Sequence, residues 1–148
     1  MKKFQLFIHL LSLCIGGLIY ICFRSQDLLM FRWFDYFRFS EDILRIRNFS
    51  QTFNIKNSDW VIYSLPDGLW MFSFTTVILY IWKNTINRKN FVWFITMPII
   101  AFFTEISQKY HLVKGTYDSN DLFAYLIGCI FSCIIFSNSF QIIKTKDN

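Results

Sequence analysis

Charge is scarce in this chain, and so are the residues that punctuate chains. Of 148 residues only 17% are Asp, Glu, Lys or Arg, and there are five glycines, two prolines and two histidines. So little charge excludes a disordered polyelectrolyte, and so little glycine and proline excludes a collagen or low-complexity chain. No heptad pattern points to a coiled coil, and no internal repeat or Gly/Ser linker divides the chain. The four cysteines form no CxxC pair, so neither a disulfide framework nor a cluster site follows from them. Walker, Rossmann and HExxH patterns are missing. The net charge of +5 is not gathered into a dense Lys/Arg tract, nor is it joined to an RNA-binding aromatic motif, so it does not point to nucleic acid.

What the chain has is grease in unbroken runs. Apolar residues make up 54% and aromatics 21%, with 19 Phe, 7 Tyr and 5 Trp, and the mean hydropathy is +0.35. A hydrocarbon core of about 30 Å takes roughly 20 helical residues. Four stretches qualify, at about 4–23, 65–82, 91–108 and 121–143, within a single membrane domain over 1–148. The fold class this predicts is an all-α membrane protein, a bundle of four transmembrane helices.

The first stretch follows Lys2 and Lys3 and runs to Arg24. Tyr20, Ile21, Cys22 and Phe23 occupy the place where a cleaved signal peptide needs small residues, so the segment is expected to stay attached. The second opens on Ser64, Leu65, Pro66 and Asp67: a capping hydroxyl, a first-turn proline and an early carboxylate. The third carries Pro98 near its middle, where the missing backbone donor predicts a kink. The fourth ends at Lys144. Asn84 to Asn90 reads as a short polar turn.

Orientation follows from where the cations lie. With the N-terminus inside, seven of the 15 Lys/Arg fall in 16 cytoplasmic residues and eight in 48 outer ones. The higher density favours cytoplasmic N- and C-termini in a multi-pass membrane protein. Residues 24–59 then form the first extracytoplasmic loop. Within it Arg32, Asp35 and Arg38 recur every three residues among large apolar ones, which predicts an interfacial amphipathic helix. Its continuation offers Arg45 and Arg47, and Trp33, Tyr36 and Trp60 suit headgroup depth. This segment either rests on the lipid bilayer or shields a site beneath it, with its arginines on lipid phosphates.

The same topology gathers acids. Asp67 begins the second span, Glu105 and Gln108 end the third, and Asp118 and Asp121 begin the fourth, all on the outer side. Tyr125 follows Asp121 by four residues and Gly128 by seven, one helical stripe. Each acid has a plain structural reading as a cap or rim residue. Converging, they would form an extracytoplasmic acidic pocket walled by Trp70 and Tyr125. Gly16, Gly17 and Gly128 read as close-approach points between helices, and His9 as a histidine satisfied by a neighbour.

The run Glu105, Ile106, Ser107, Gln108, then a loop, then Asp118, Asp121, Tyr125 and Gly128, resembles the signature of the VanZ-like membrane proteins. The resemblance covers about residues 60–140 and includes Asp67 within SLPDGLW. It implies a small bundle in the bacterial cytoplasmic membrane, in a family whose named member is associated with teicoplanin resistance, and it implies no established reaction. Two positions depart from the family. Its loop arginine has no clear match among Lys109, His111 and Lys114, and its helix asparagine is matched by Tyr125.

The function expected is therefore a VanZ-like accessory protein of the cell envelope that binds a lipid-linked envelope precursor or a membrane protein partner at Asp67, Trp70, Glu105, Gln108, Asp118, Asp121 and Tyr125. The competing class is a membrane enzyme acting on lipid phosphates or polyprenyl-linked substrates, with paired carboxylates as acid and base. No cofactor is expected. A divalent cation on Glu105, His111, Asp118 and Asp121 is the weaker alternative, since the ligand spacing is not diagnostic.

Overall fold

The computed structural model describes residues 2–52 and 59–136. The end of the expected fourth span, 137–143, and the cations at Lys144 and Lys146 lie outside the described residues. Among the described residues six α-helices occur in the order α1 (Lys2–Phe23), α2 (Leu29–Tyr36), α3 (Ser40–Ser50), α4 (Leu65–Ile81), α5 (Phe91–Lys109) and α6 (Ser119–Phe136). Among the described residues there is no strand. Lys3–Phe23, Trp60–Ile81, Phe91–Lys109 and Ser119–Phe136 are long and apolar enough to cross a membrane. The chain is thus an all-α membrane bundle of four spans.

The second span does not begin where its sequence suggests. Ser64 has helical dihedrals and makes no capping bond, and a π-helical turn over Trp60–Ser64 runs straight into α4. Pro66 cannot donate to the carbonyl of Ile62 and would crowd it in a tight turn. A wider i to i+5 turn relieves that crowding. Asp67 therefore lies seven residues, about 10 Å, along the span rather than at its mouth.

α4 is the central helix, with α1 on one side and α6 on the other. Lipid gives apolar side chains no reason to leave it, so spanning helices associate where small residues let backbones approach and polar groups pair. The contact with α6 follows that rule. A Cβ on Gly128 would fall 2.3 Å from the carbonyl oxygen of Gly68, and one on Gly68 would fall 3.0 Å from that of Ala124. One turn along, the fully buried Thr76 and Ser132 share a hydroxyl bond of 2.9 Å.

On the other flank, Ser73 Oγ lies 2.7 Å from His9 Nδ1, and Gln5 donates to Thr76 O and Asn84 Oδ1 at 3.2 and 2.8 Å. His9 is satisfied, as expected. Gly16 is a true close-approach point, with Trp70 Nε1 2.7 Å from its Cβ position, whereas Gly17 has nothing within 4 Å. Among the described residues, then, nothing packs on Gly17.

The turn after α4 is more than a polar connector. Lys83 and Asn84 are both left-handed, Asn87 and Asn90 bond each other's backbone amides through their side chains, and Ile86 is buried beneath them. Pro98 does sit inside α5 and leaves the Phe94 carbonyl without its usual donor. α5 packs least of the four spans, with Glu105 as its one buried residue.

The amphipathic segment is two helices rather than one. Arg38 takes φ 62° and ends the first, so it leaves the stripe of Arg32 and Asp35, and the Ser40 hydroxyl bonds the Asp35 carboxylate across the corner. Arg47 does not face lipid phosphates. Its guanidinium bonds the Ile21 and Arg24 carbonyls, the latter at 3.0 Å, and lies over the Phe31 ring. Those carbonyls belong to the unpaired end of α1, so Arg47 caps that helix and fastens α3 to it. Trp33 and Tyr36 remain exposed.

Candidate functional site

Antiparallel connection of the four spans brings one end of each to the same end of the bundle. There α1 supplies Arg24, α4 supplies Asp67, α5 supplies Glu105, and α6 supplies Asp121 and Tyr125. Asp67 lies within electrostatic reach of Arg24, Asp121 and Glu105, with Tyr125 near it. Glu105 in turn faces Asp121 and Asp118.

Arg24 is the cation of the site, and it is held through Nη2 while its Nε is buried without a hydrogen-bond partner. Nη2 donates to the Tyr63 carbonyl at 3.2 Å and stands 3.9 Å from Asp67 Oδ2. The guanidinium carbon lies 5.1 Å from the Tyr20 ring centroid and 4.8 Å from that of Tyr63. Two aromatic faces fix its plane and partly desolvate it, which strengthens its pull on Asp67.

The remaining acids have no such neighbour. Among the described residues the ion pairs are Arg24 with Asp67 and, within α3, Arg45 with Asp42. Glu105 is 4% exposed, and its Oε2 accepts the Asp118 amide at a long 3.4 Å. Asp121 is 8% exposed, and its Oδ1 is buried without a hydrogen-bond partner. A buried acceptor left unpaired is expensive, and in a membrane span doubly so.

The other expected residues sit around this centre in different roles. Asp118 begins α6: its Oδ1 accepts the Asn120 amide at 2.8 Å, and its carbonyl accepts the Asp121 amide at 3.2 Å. Its carboxylate is occupied as a helix cap. Gln108 lies against Gly115, which has φ +147° and whose Cβ position would fall 2.6 Å from Gln108 Cδ. Trp70 stacks on Tyr20 at 5.2 Å and covers Gly16, so it packs α4 on α1 and meets the site through Tyr20. Of the loop cations, Lys109 lies over the Tyr117 ring, and His111 is exposed with φ 57°.

Sequence reasoning missed Arg24, Tyr20 and Tyr63. Arg24 looked like the stop after the first span, yet an up-and-down bundle places that stop opposite Asp67. Among the described residues no three His, Cys, Asp or Glu side chains are placed to hold one metal ion, so the set of Glu105, His111, Asp118 and Asp121 is not gathered for that purpose.

An apolar cavity of about 420 Å³ opens between α5 and α6. Pro98 and Phe102 line it from α5, and Leu122, Tyr125, Leu126 and Cys129 from α6. Tyr125 thus belongs both to the cavity wall and to the acid cluster. Against protein-family models, curated proteins and solved structures, the chain has no match.

Proposed function

We propose that this chain is a VanZ-like accessory protein of the bacterial inner membrane that binds a component of the cell envelope, or a membrane protein partner, at the acidic end of its bundle. With cytoplasmic N- and C-termini that end faces outward. The observation carrying the proposal is the buried carboxylate of Asp121, unpartnered, beside Asp67 and Glu105 from two other spans. Acids inside a span are costly, and a bundle that keeps three together with an arginine paired to one of them is built around something the other two meet. The order of residues from Glu105 to Gly128 supports the family reading, since Glu105, Asp118, Asp121 and Tyr125 of that pattern fall at or beside this cluster.

The test is complementation of a gene deletion in the host, read as growth under teicoplanin. Glu105→Gln and Asp121→Asn are expected to lose complementation at unchanged abundance in the membrane fraction. A fall in abundance would assign these acids to folding instead. Orientation is tested in a cysteine-free background. Asp118→Cys should react with an impermeant thiol reagent on intact cells, and Arg88→Cys only after permeabilisation.

A further inference from the structure

We propose that the cavity between α5 and α6 holds one acyl chain of a membrane lipid with a negatively charged headgroup, and that Lys109 receives the headgroup at its mouth. This site stands apart from the acidic end and does not depend on a guest at Asp67, Glu105 or Asp121.

Shape decides the kind of occupant. The lining runs along α6 from Ser119 to Cys129, ten residues or about 15 Å of helix. On α5, which runs the other way, it reaches Pro98, eleven residues or about 16.5 Å from Lys109. Both walls carry the cavity from the end of the bundle to about half the depth of a hydrocarbon core of about 30 Å, the reach of one leaflet. A volume of about 420 Å³ over that length leaves a mean cross-section of about 28 Å². A helix about 10 Å across needs about 79 Å². The cavity therefore passes a single aliphatic chain and excludes a partner's helix.

The deep part of the wall, with Pro98, Phe102 and Leu126, offers carbon to such a chain. The mouth differs in character. Tyr117 and Ser119 line it and bring hydroxyls, and Lys109 Nζ lies 5.3 Å from the centroid of the Tyr117 ring, so a cation stands against the cavity wall. Lys109 is exposed and, among the described residues, has no carboxylate within 4 Å. His111 and Lys114 are exposed on the same loop. The acids of this end are taken up elsewhere. Asp67 pairs with Arg24, Asp118 Oδ1 accepts the Asn120 amide, Glu105 and Asp121 are buried, and none of the four lines the cavity.

Lipid tails are as apolar as the cavity, so the chain alone gives little preference for one lipid over another. The head supplies it. A phosphate without a compensating cation of its own meets an ammonium and two hydroxyls, whereas a choline head brings a second cation beside Lys109.

The full chain, purified in detergent and stripped of lipid, is mixed with matched mole fractions of phosphatidylglycerol and phosphatidylcholine, and retention is read by native mass spectrometry. Phosphatidylglycerol is expected to be retained in preference. Lys109→Gln should cut that preference about two- to fivefold, the worth of an exposed ion pair. Lys89→Gln, in the turn before α5 and so at its other end, removes the same charge from the chain and should leave the preference unchanged. Leu126→Trp narrows the cavity while keeping Lys109, and should cut phosphatidylglycerol retention by more than Lys109→Gln does.

Equal retention of the two lipids by the parent overturns the proposal. An equal loss in Lys109→Gln and Lys89→Gln also overturns it, since net charge and not a site would then be the cause. A Leu126→Trp variant that holds phosphatidylglycerol as the parent does would put the lipid outside the cavity, with the same consequence. If thermal unfolding shows that Leu126→Trp fails to fold, the parent and the two lysine variants still decide. Complementation by Glu105→Gln and Asp121→Asn is unaffected by any of these outcomes, so the envelope-binding reading stands or falls separately.

Discussion

Gly128→Ala adds one methyl group at the tightest point of the α4–α6 contact, and the structure sets its cost. The new Cβ would stand 2.3 Å from the Gly68 carbonyl oxygen and 3.0 Å from the Phe72 amide nitrogen. Ordinary contact begins near 3.4 Å, so the helices must part by about 1.1 Å. Both near atoms are backbone, and no rotamer change can relieve them. The same displacement would stretch the 2.9 Å bond between Thr76 and Ser132 to about 4 Å, which is no hydrogen bond. Overpacking of this kind costs about 1 to 3 kcal/mol, and an interhelical hydrogen bond in a membrane averages roughly 0.6 kcal/mol. A loss of about 2 to 4 kcal/mol is expected, measured by reversible unfolding in mixed micelles titrated with dodecyl sulfate. Gly17→Ala is the internal control: nothing lies within 4 Å of that Cβ position, and alanine is the better helix former. It should be neutral or stabilising. Gly128→Ala within about 0.5 kcal/mol of the parent, the range of an indifferent surface change, would refute the close-packed α4–α6 seam.

Three further perturbations probe the arginines. Arg24→Lys keeps a charge near Asp67 but loses the planar stacking on Tyr20 and Tyr63, so it should cost about 1 to 2 kcal/mol by the same unfolding assay. A cycle of Arg24→Ala with Asp67→Asn should show positive coupling, since the double variant leaves no lone charge behind. Arg47→Ala removes two bonds to the end of α1 and should cost about 1.5 to 3 kcal/mol, with faster amide exchange over residues 40–50 and none gained over 65–81.

The spans were legible because lipid enforces length and apolarity together, and 91–108 falls within a residue of α5 as found. The start of α4 was not. Serine and proline before an acid make the same local pattern whether the helix begins there or enters through a wider turn, and only the continuation back to Trp60 decides between them. The gathering of Asp67, Glu105 and Asp121 was readable from topology alone, since an up-and-down bundle alternates its ends. What each acid does was not readable. Asp118 caps a helix while Asp121, three residues on, is buried without a partner, and that difference depends on which way α6 is turned against α4. The turn of α6 is fixed by Gly68 and Ala124. Neither signals anything until the facing helix is known. Arg47 escaped for a similar reason: a break at Arg38 redirects α3, and an expected stripe of lipid-facing cations loses two of its members.

α5 has one buried residue, and that residue is Glu105. The helix is otherwise a greasy rod leaning on the bundle, tethered by a carboxylate that belongs to the site. Whatever engages Glu105 therefore also grips the handle of a whole span. Filling the site and seating the rod become two faces of one equilibrium: a guest that bonds this acid shifts the helix's preferred position by as much as its affinity differs between the seated and loosened states.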